Sequence, residues 1–139
     1  MTKEAVLTLI LSNAGSLQNG LLALLTTIPQ INPVLAEEEF GTALSLIEDH
    51  QPALAILDMS IPTVEEAIRQ IKELCPQIHV IVLANSVKEQ KHAKELGVDG
   101  VLLKGFSAPK LIDIVEKLID HRGSTALNAL DEEGGLYAD

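Results

Sequence analysis

Two residues of opposite charge each close a short apolar run: Asp58 follows Ala53–Leu57, and Lys104 follows Val101–Leu103. Two further runs end on small polar residues, Val6–Leu11 on Ser12 and Asn13, and Val80–Ala84 on Asn85. If these runs are parallel strands of one sheet, all of these residues gather at its carboxyl edge, where open α/β sheets bind ligands. One carboxylate and one ammonium would then share a crevice ringed by helix N-termini, which favour negative charge. Taken singly, Asp58 is an ordinary turn residue and Lys104 a solvated strand end. Their arrival at the same end of the same sheet makes them a candidate pair.

Other chemistry is poorly supplied. His50, His79, His92 and His121 are scattered, and no pair has metal-ligand spacing, so a zinc site is not expected. Ser12, Ser16 and Ser60 have no histidine base nearby, which leaves hydrolase chemistry unsupported. Gly15 and Gly20 do not form a dinucleotide fingerprint. The single cysteine, Cys75, excludes a disulfide framework and reads as a buried small apolar residue.

The elements that must position the pair follow from periodicity. Five apolar runs, Val6–Leu11, Ile31–Ala36, Ala53–Leu57, Val80–Ala84 and Val101–Leu103, alternate with helical patterns. Most are continuously apolar, as strands covered on both faces must be. The second contains Asn32 and Pro33; proline removes a ladder donor, so this strand belongs at an edge. Helical stripes run through Leu17–Ile28, Phe40–Ile47, Val64–Leu74 and Leu111–Leu118. The fourth helix, near Val87–Leu96, is weakly apolar and lysine-rich, and should pack loosely. Thr63/Glu66 and Ser86/Glu89 have capping-box spacing, Ser107 can cap the last helix, and Gly97 suits a helix end. Glu37-Glu38-Glu39 reads as a solvated loop.

Strict β-α alternation implies a doubly wound α/β fold: a five-stranded parallel sheet with right-handed crossovers and five helices. The flavodoxin-like order 2-1-3-4-5 places the proline strand at an edge. The 139 residues are the size of one domain. Residues 1–121 carry the pattern; residues 122–139 read as an acidic, glycine-containing tail or the start of a linker.

Composition narrows the partners. Ten basic residues stand against twenty acidic ones, and a net charge of −10 repels nucleic acid and anionic lipid alike. Two Phe, one Tyr and no Trp leave no stacking platform. The first residues do not form a signal peptide, and the run from Val6 is too short to span a bilayer. A cytoplasmic location is expected, with neither membrane nor nucleic acid as partner of this domain.

The segment Leu57-Asp58-Met-Ser-Ile-Pro62 resembles the phosphoacceptor segment of response-regulator receiver domains, which work in two-component (phosphorelay) signalling. Gly97-Val-Asp-Gly-Val-Leu-Leu-Lys104 is similar to the same family's run into its fifth strand. The resemblance spans about Ala5 to Asp120. It implies that Asp58 is the phosphoacceptor and that Lys104 pairs with the phosphoryl group or with Asp58. It further implies a sensor histidine kinase or other signalling protein as partner. The fourth helix, fifth strand and fifth helix would be the face for output or a homodimer. No enzymatic activity is implied.

The chain departs from the family at four points. Ser12 and Asn13 stand where the family places two consecutive acids that hold Mg²⁺. A hard divalent cation favours charged oxygens, so Mg²⁺ should bind weakly at most, through Asp58 and the Ser60 backbone, and no other cofactor is expected. Phosphoryl transfer relies on that ion, so transfer should be slow. Ala84 replaces the switch hydroxyl, and Val101 replaces the switch aromatic. Gly105 follows Lys104 where the family has a cis-proline, so the loop there can take another path.

With the acids gone, Lys104 either pairs with Asp58 or stays hydrated. Three functions remain. The first is a pseudo-receiver acting by protein–protein interaction, its mixed-charge face suited to register-setting ion pairs. The second is a functional phosphoacceptor. The third is a flavodoxin-like domain using Ser12, Asn13 and Ser16 to hold a cofactor phosphate, for which the flanking aromatics are missing.

Overall fold

Side chains on successive strand residues point to opposite faces, so a strand buried on both faces must be apolar throughout. Ile56 and Leu57 are neighbours, both fully buried, and sit in different apolar clusters. The computed structural model describes residues 6–13, 15–120 and 137–138. Its elements are β1 (Val6–Leu11), α1 (Ser16–Leu25), β2 (Ile31–Glu37), α2 (Phe40–His50), β3 (Leu54–Asp58), α3 (Val64–Leu74), β4 (His79–Ala84), α4 (Val87–Glu95), β5 (Gly100–Leu103), α5 (Ala108–Asp120) and β6 (Tyr137–Ala138). The strands run parallel in the order β2-β1-β3-β4-β5-β6, so the first five follow the expected order.

One face of the sheet presents Leu9, Leu11, Ala55, Leu57, Val80, Val82 and Val101 to α2, α3 and α4. The other presents Ile10, Leu54, Ile56, Ile81, Leu83 and Leu102 to α1 and α5. The proline strand lies at the edge. Val6 pairs with Ile31 and Thr8 with Val34, so Asn32 and Pro33 together face Leu7. A bulge of this kind removes the proline from the regular ladder.

Local signals hold in some places and fail in others. At α4 the Ser86 hydroxyl accepts from the Glu89 N–H at 3.1 Å, half of the expected box. The Glu89 carboxylate takes the Asn85 N–H instead of the Ser86 N–H. The Thr63 box does not form. Thr63 has φ +59, its hydroxyl donates to the Pro62 carbonyl, and Glu66 is engaged by Arg69 and Gln70. Gly97 follows α4 with φ +82, a left-handed conformation that glycine adopts without a Cβ penalty. Glu37 was expected in a loop but ends β2, pairing with Leu11. The tail expected over residues 122–139 lies outside the described residues except for Tyr137 and Ala138, which pair with Val101 and Leu102. No described helix is long and apolar enough to cross a membrane.

Candidate functional site

Strand register sets the geometry. Leu11 pairs with Leu57, Asp58 with Leu83, and Ala84 with Leu103, so β1, β3, β4 and β5 end nearly flush. The residues that follow them therefore emerge at one edge. Continuation of the ladder is visible in the Lys104 N–H, which donates to the Ala84 carbonyl at 2.8 Å.

At this edge Lys104 Nζ lies 2.7 Å from Asp58 Oδ1. Asp58 is only 5% exposed, whereas Lys104 is partly solvated. Lys104 is thus paired with Asp58 while its side chain keeps some contact with solvent. Asp58 Oδ1 also accepts the Ser60 N–H at 2.9 Å, the local bond an aspartate makes two residues on in a turn. Lys104 Nζ donates in addition to Ser60 Oγ at 3.0 Å, and Asn85 Nδ2 reaches the same hydroxyl at 3.0 Å.

The remaining positions are quieter. Ser12 is buried, its hydroxyl directed at the Asn13 carbonyl at 3.3 Å and its own carbonyl accepting from Gln18 Nε2 at 3.1 Å. Asn13 is exposed. Ala84 and Val101 are fully buried in the cluster beneath α3 and α4, so neither offers a hydroxyl or a rotating ring. Gly105 has φ +93, and the described residues contain one cis peptide, Asn32–Pro33. Asp58, Lys104, Ser60 and Asn85 are thus brought together, while the Ser12 hydroxyl turns to the Asn13 carbonyl.

Sequence reasoning treated Ser60 mainly as a serine without a base. Its position two residues after an aspartate was the signal that could have revealed it as the turn's partner. It missed a second polar cluster entirely. Asp99 Oδ2 accepts from the Val80 N–H at 2.7 Å and from Lys72 Nζ at 2.9 Å, and Asp99 Oδ1 lies 3.7 Å from His79 Nδ1. Burial pushes the Asp99 carboxyl up. The His79 hydrogen bond, the Lys72 charge, and the bonds from the Val80 N–H and Lys72 outweigh it and hold the group below its ordinary value. His79 Nε2 is buried without a hydrogen-bond partner. Cys75 is buried as expected, and burial raises its thiol pKa. Among the described residues, no group of three or more His, Cys, Asp or Glu is placed to hold a metal.

A parallel sheet in the order 2-1-3-4-5 with an acid and an amine paired at its carboxyl edge defines a flavodoxin-like doubly wound α/β domain. The chain belongs to the response regulator receiver domain family, which matches residues 9–116. It is 29% identical over 103 residues to the transcriptional regulatory protein DegU of Brevibacillus brevis, covering 71% of this chain and 44% of DegU. It is 31% identical over 102 residues to the response regulator protein VraR of Staphylococcus aureus, covering 70% of this chain and 49% of VraR. The chain spans less than half the length of these curated relatives. The isolated REC domain of RcsB from Salmonella enterica serovar Typhimurium, solved with phosphomimetic BeF3−, superposes with TM-score 0.76 at 20% identity, covering 86% of this chain and 91% of that one. The receiver domain of NarL from Mycobacterium tuberculosis gives 0.74 at 21%, covering 86% and 100%. Receiver domains are generally non-enzymatic signalling domains, bind Mg²⁺ at the phosphorylation site, and serve regulators that interact with histidine kinases.

Proposed function

We propose that this domain is a pseudo-receiver: it signals by binding partner proteins, and its Mg²⁺-dependent phosphorylation at Asp58 is impaired. The single observation that carries the reading is that the residues ending β1 beside Asp58 are the neutral Ser12 and Asn13, while Lys104 holds the Asp58 carboxylate. Ser12 and Asn13 supply no charge, and one oxygen of Asp58 is already shared by Lys104 and the Ser60 N–H. A hard divalent ion needs charged oxygens at short range, so this donor set does not fit Mg²⁺. Without a metal, Lys104 is the cationic side chain left to offset the charge that builds on a transferring phosphoryl group.

The partner is a sensor histidine kinase or another signalling protein, and the face formed by α4, β5 and α5 is the surface for output or for a homodimer. Nucleic acid is not a partner of this domain, given its net charge of −10. RcsB has been solved bound to promoter rprA, but this chain covers 69% of that protein. A competing reading, that Asp58 is a working phosphoacceptor, keeps the same pair and assigns Lys104 to the phosphate.

Incubation with a small-molecule phosphodonor and Mg²⁺, followed by intact-mass analysis, separates the two. We expect no phosphoryl adduct on a timescale that labels an ordinary receiver. A near-stoichiometric adduct, lost in Asp58→Asn, would establish the competing reading.

A further inference from the structure

The two edges of the sheet are defended differently. A strand edge carries unpaired N–H and C=O groups and invites another strand, so edges are blunted by proline, bulges, charge or a covering segment. At one edge β2 holds Pro33 in the bulge opposite β1 and ends on Glu37. On the other side β5 reads Gly100-Val-Leu-Leu103, with neither proline nor charge. What covers it is β6: Tyr137 pairs with Val101, and Ala138 with Leu102. The Lys104 N–H donates to Ala84 on β4. Backbone groups of successive strand residues point alternately to the two neighbouring strands, so those of Leu103 and Val101 point away from β4, toward β6.

Two features make β6 a light cover. Its ladder is two residue pairs long, which places it at the low end of local stability. Its connection also has the wrong hand. α3 and α4 lie on the sheet face that carries Leu57 and Val82, whereas α5 lies on the face that carries Ile56 and Ile81. β3, β4, β5 and β6 follow one another in a single direction across the sheet. The β5-α5-β6 connection therefore has the opposite hand to β3-α3-β4 and β4-α4-β5. Parallel crossovers within one sheet are right-handed in about 98% of cases, so β6 sits where chain topology does not favour it.

We infer that β6 is a removable guard on the β5 edge, and that its displacement lets the β5 edge of a second copy pair there in its place. The inference rests on the reading of the α4, β5 and α5 face as the surface for a homodimer, and adds what closes that surface. The space that β6 fills already admits a strand. A second copy brings the same uncharged strand without the disfavoured crossover. Related by a two-fold axis through Leu102, the two strands run antiparallel, and Val101 of one copy faces the partner's Leu103. Each such pair exchanges N–H and C=O bonds, and the two-fold repeats the contact, as a self-complementary interface requires.

The test compares the full chain with Ala138→Pro, which removes a ladder donor from β6. Amide exchange and sedimentation are followed from micromolar to millimolar protein at about 0.15 M salt, where the repulsion between two acidic copies is largely screened. Unmoved amide shifts in β1 and β3 verify that the variant is folded. In dilute protein we expect the Val101 and Leu103 amides to exchange several-fold faster in Ala138→Pro than in the native chain. In concentrated protein we expect the variant to dimerise where the native chain stays monomeric, and the same two amides to regain protection. Equal exchange in dilute protein would overturn the guard, as would a variant that stays monomeric throughout. A dimer that leaves Val101 and Leu103 unprotected would overturn the edge pairing and keep the helical face as the homodimer surface. Regained protection with unmoved α4 and α5 amides would do the reverse. The two ideas therefore fail on different observations.

Discussion

Lys104 Nζ satisfies two acceptors at once, and the one that matters energetically is Asp58, because a carboxylate this buried has few other partners. Truncating one member of such a pair leaves the other with part of its desolvation cost uncompensated. Lys104→Met should therefore destabilise the domain by about 1–3 kcal/mol, seen as a lower urea midpoint at unchanged slope. The double variant Asp58→Asn, Lys104→Met should recover most of that loss, because no charge is then left buried alone. Asp58 and Lys104 were legible in the sequence because each directly follows an apolar run. Their neighbours were only half legible. Ser60 and Asn85 lie in loops, where residue type says which bonds are available but not which are made, and the Thr63 cap failed because the chain turns left-handed there.

At the amino end of the sheet Asp99 joins α3, β4 and the approach to β5 through Lys72, His79 and the Val80 N–H. Its folded-state pKa lies below the ordinary value of 3.8, which sets the sign. The stability it contributes is fully present above the unfolded-state value and is lost as pH falls through the folded-state value. The stability difference between the native chain and Asp99→Asn should thus be constant from neutral pH down to the ordinary carboxylate range, then shrink. A difference that persists unchanged in stronger acid would remove Asp99 from this role. Close by, Gly97→Ala should cost about 1–2 kcal/mol, because φ is +82 there while space for a Cβ is open, so only the backbone conformation is penalised. Strands and helices were legible as elements since the sheet is buried on both faces and its strands read as unbroken apolar runs. The Asp99 cluster was not: its partners lie 27 and 19 residues away, and the pairing of β4 with β5 together with the packing of α3 brings them together.

Across the whole molecule one sheet separates two apolar layers, each built from alternate residues of the same strands. Ile56→Ala and Leu57→Ala should each cost about 2–5 kcal/mol, and each should shift a single cooperative unfolding transition, because both layers share those strands. The net charge of −10 leaves partner choice to the pattern of charge on the surface, which is where composition alone says least. The central claim concerns the crevice at the carboxyl end of this sheet, and metal titration tests it most directly. Amide shifts at residues 12–13 and 58–60 would be followed through millimolar Mg²⁺ in the native chain and in Ser12→Asp, Asn13→Asp. We expect saturable shifts in the double variant and none in the native chain. Saturation in the native chain, centred on Asp58, would contradict the claim.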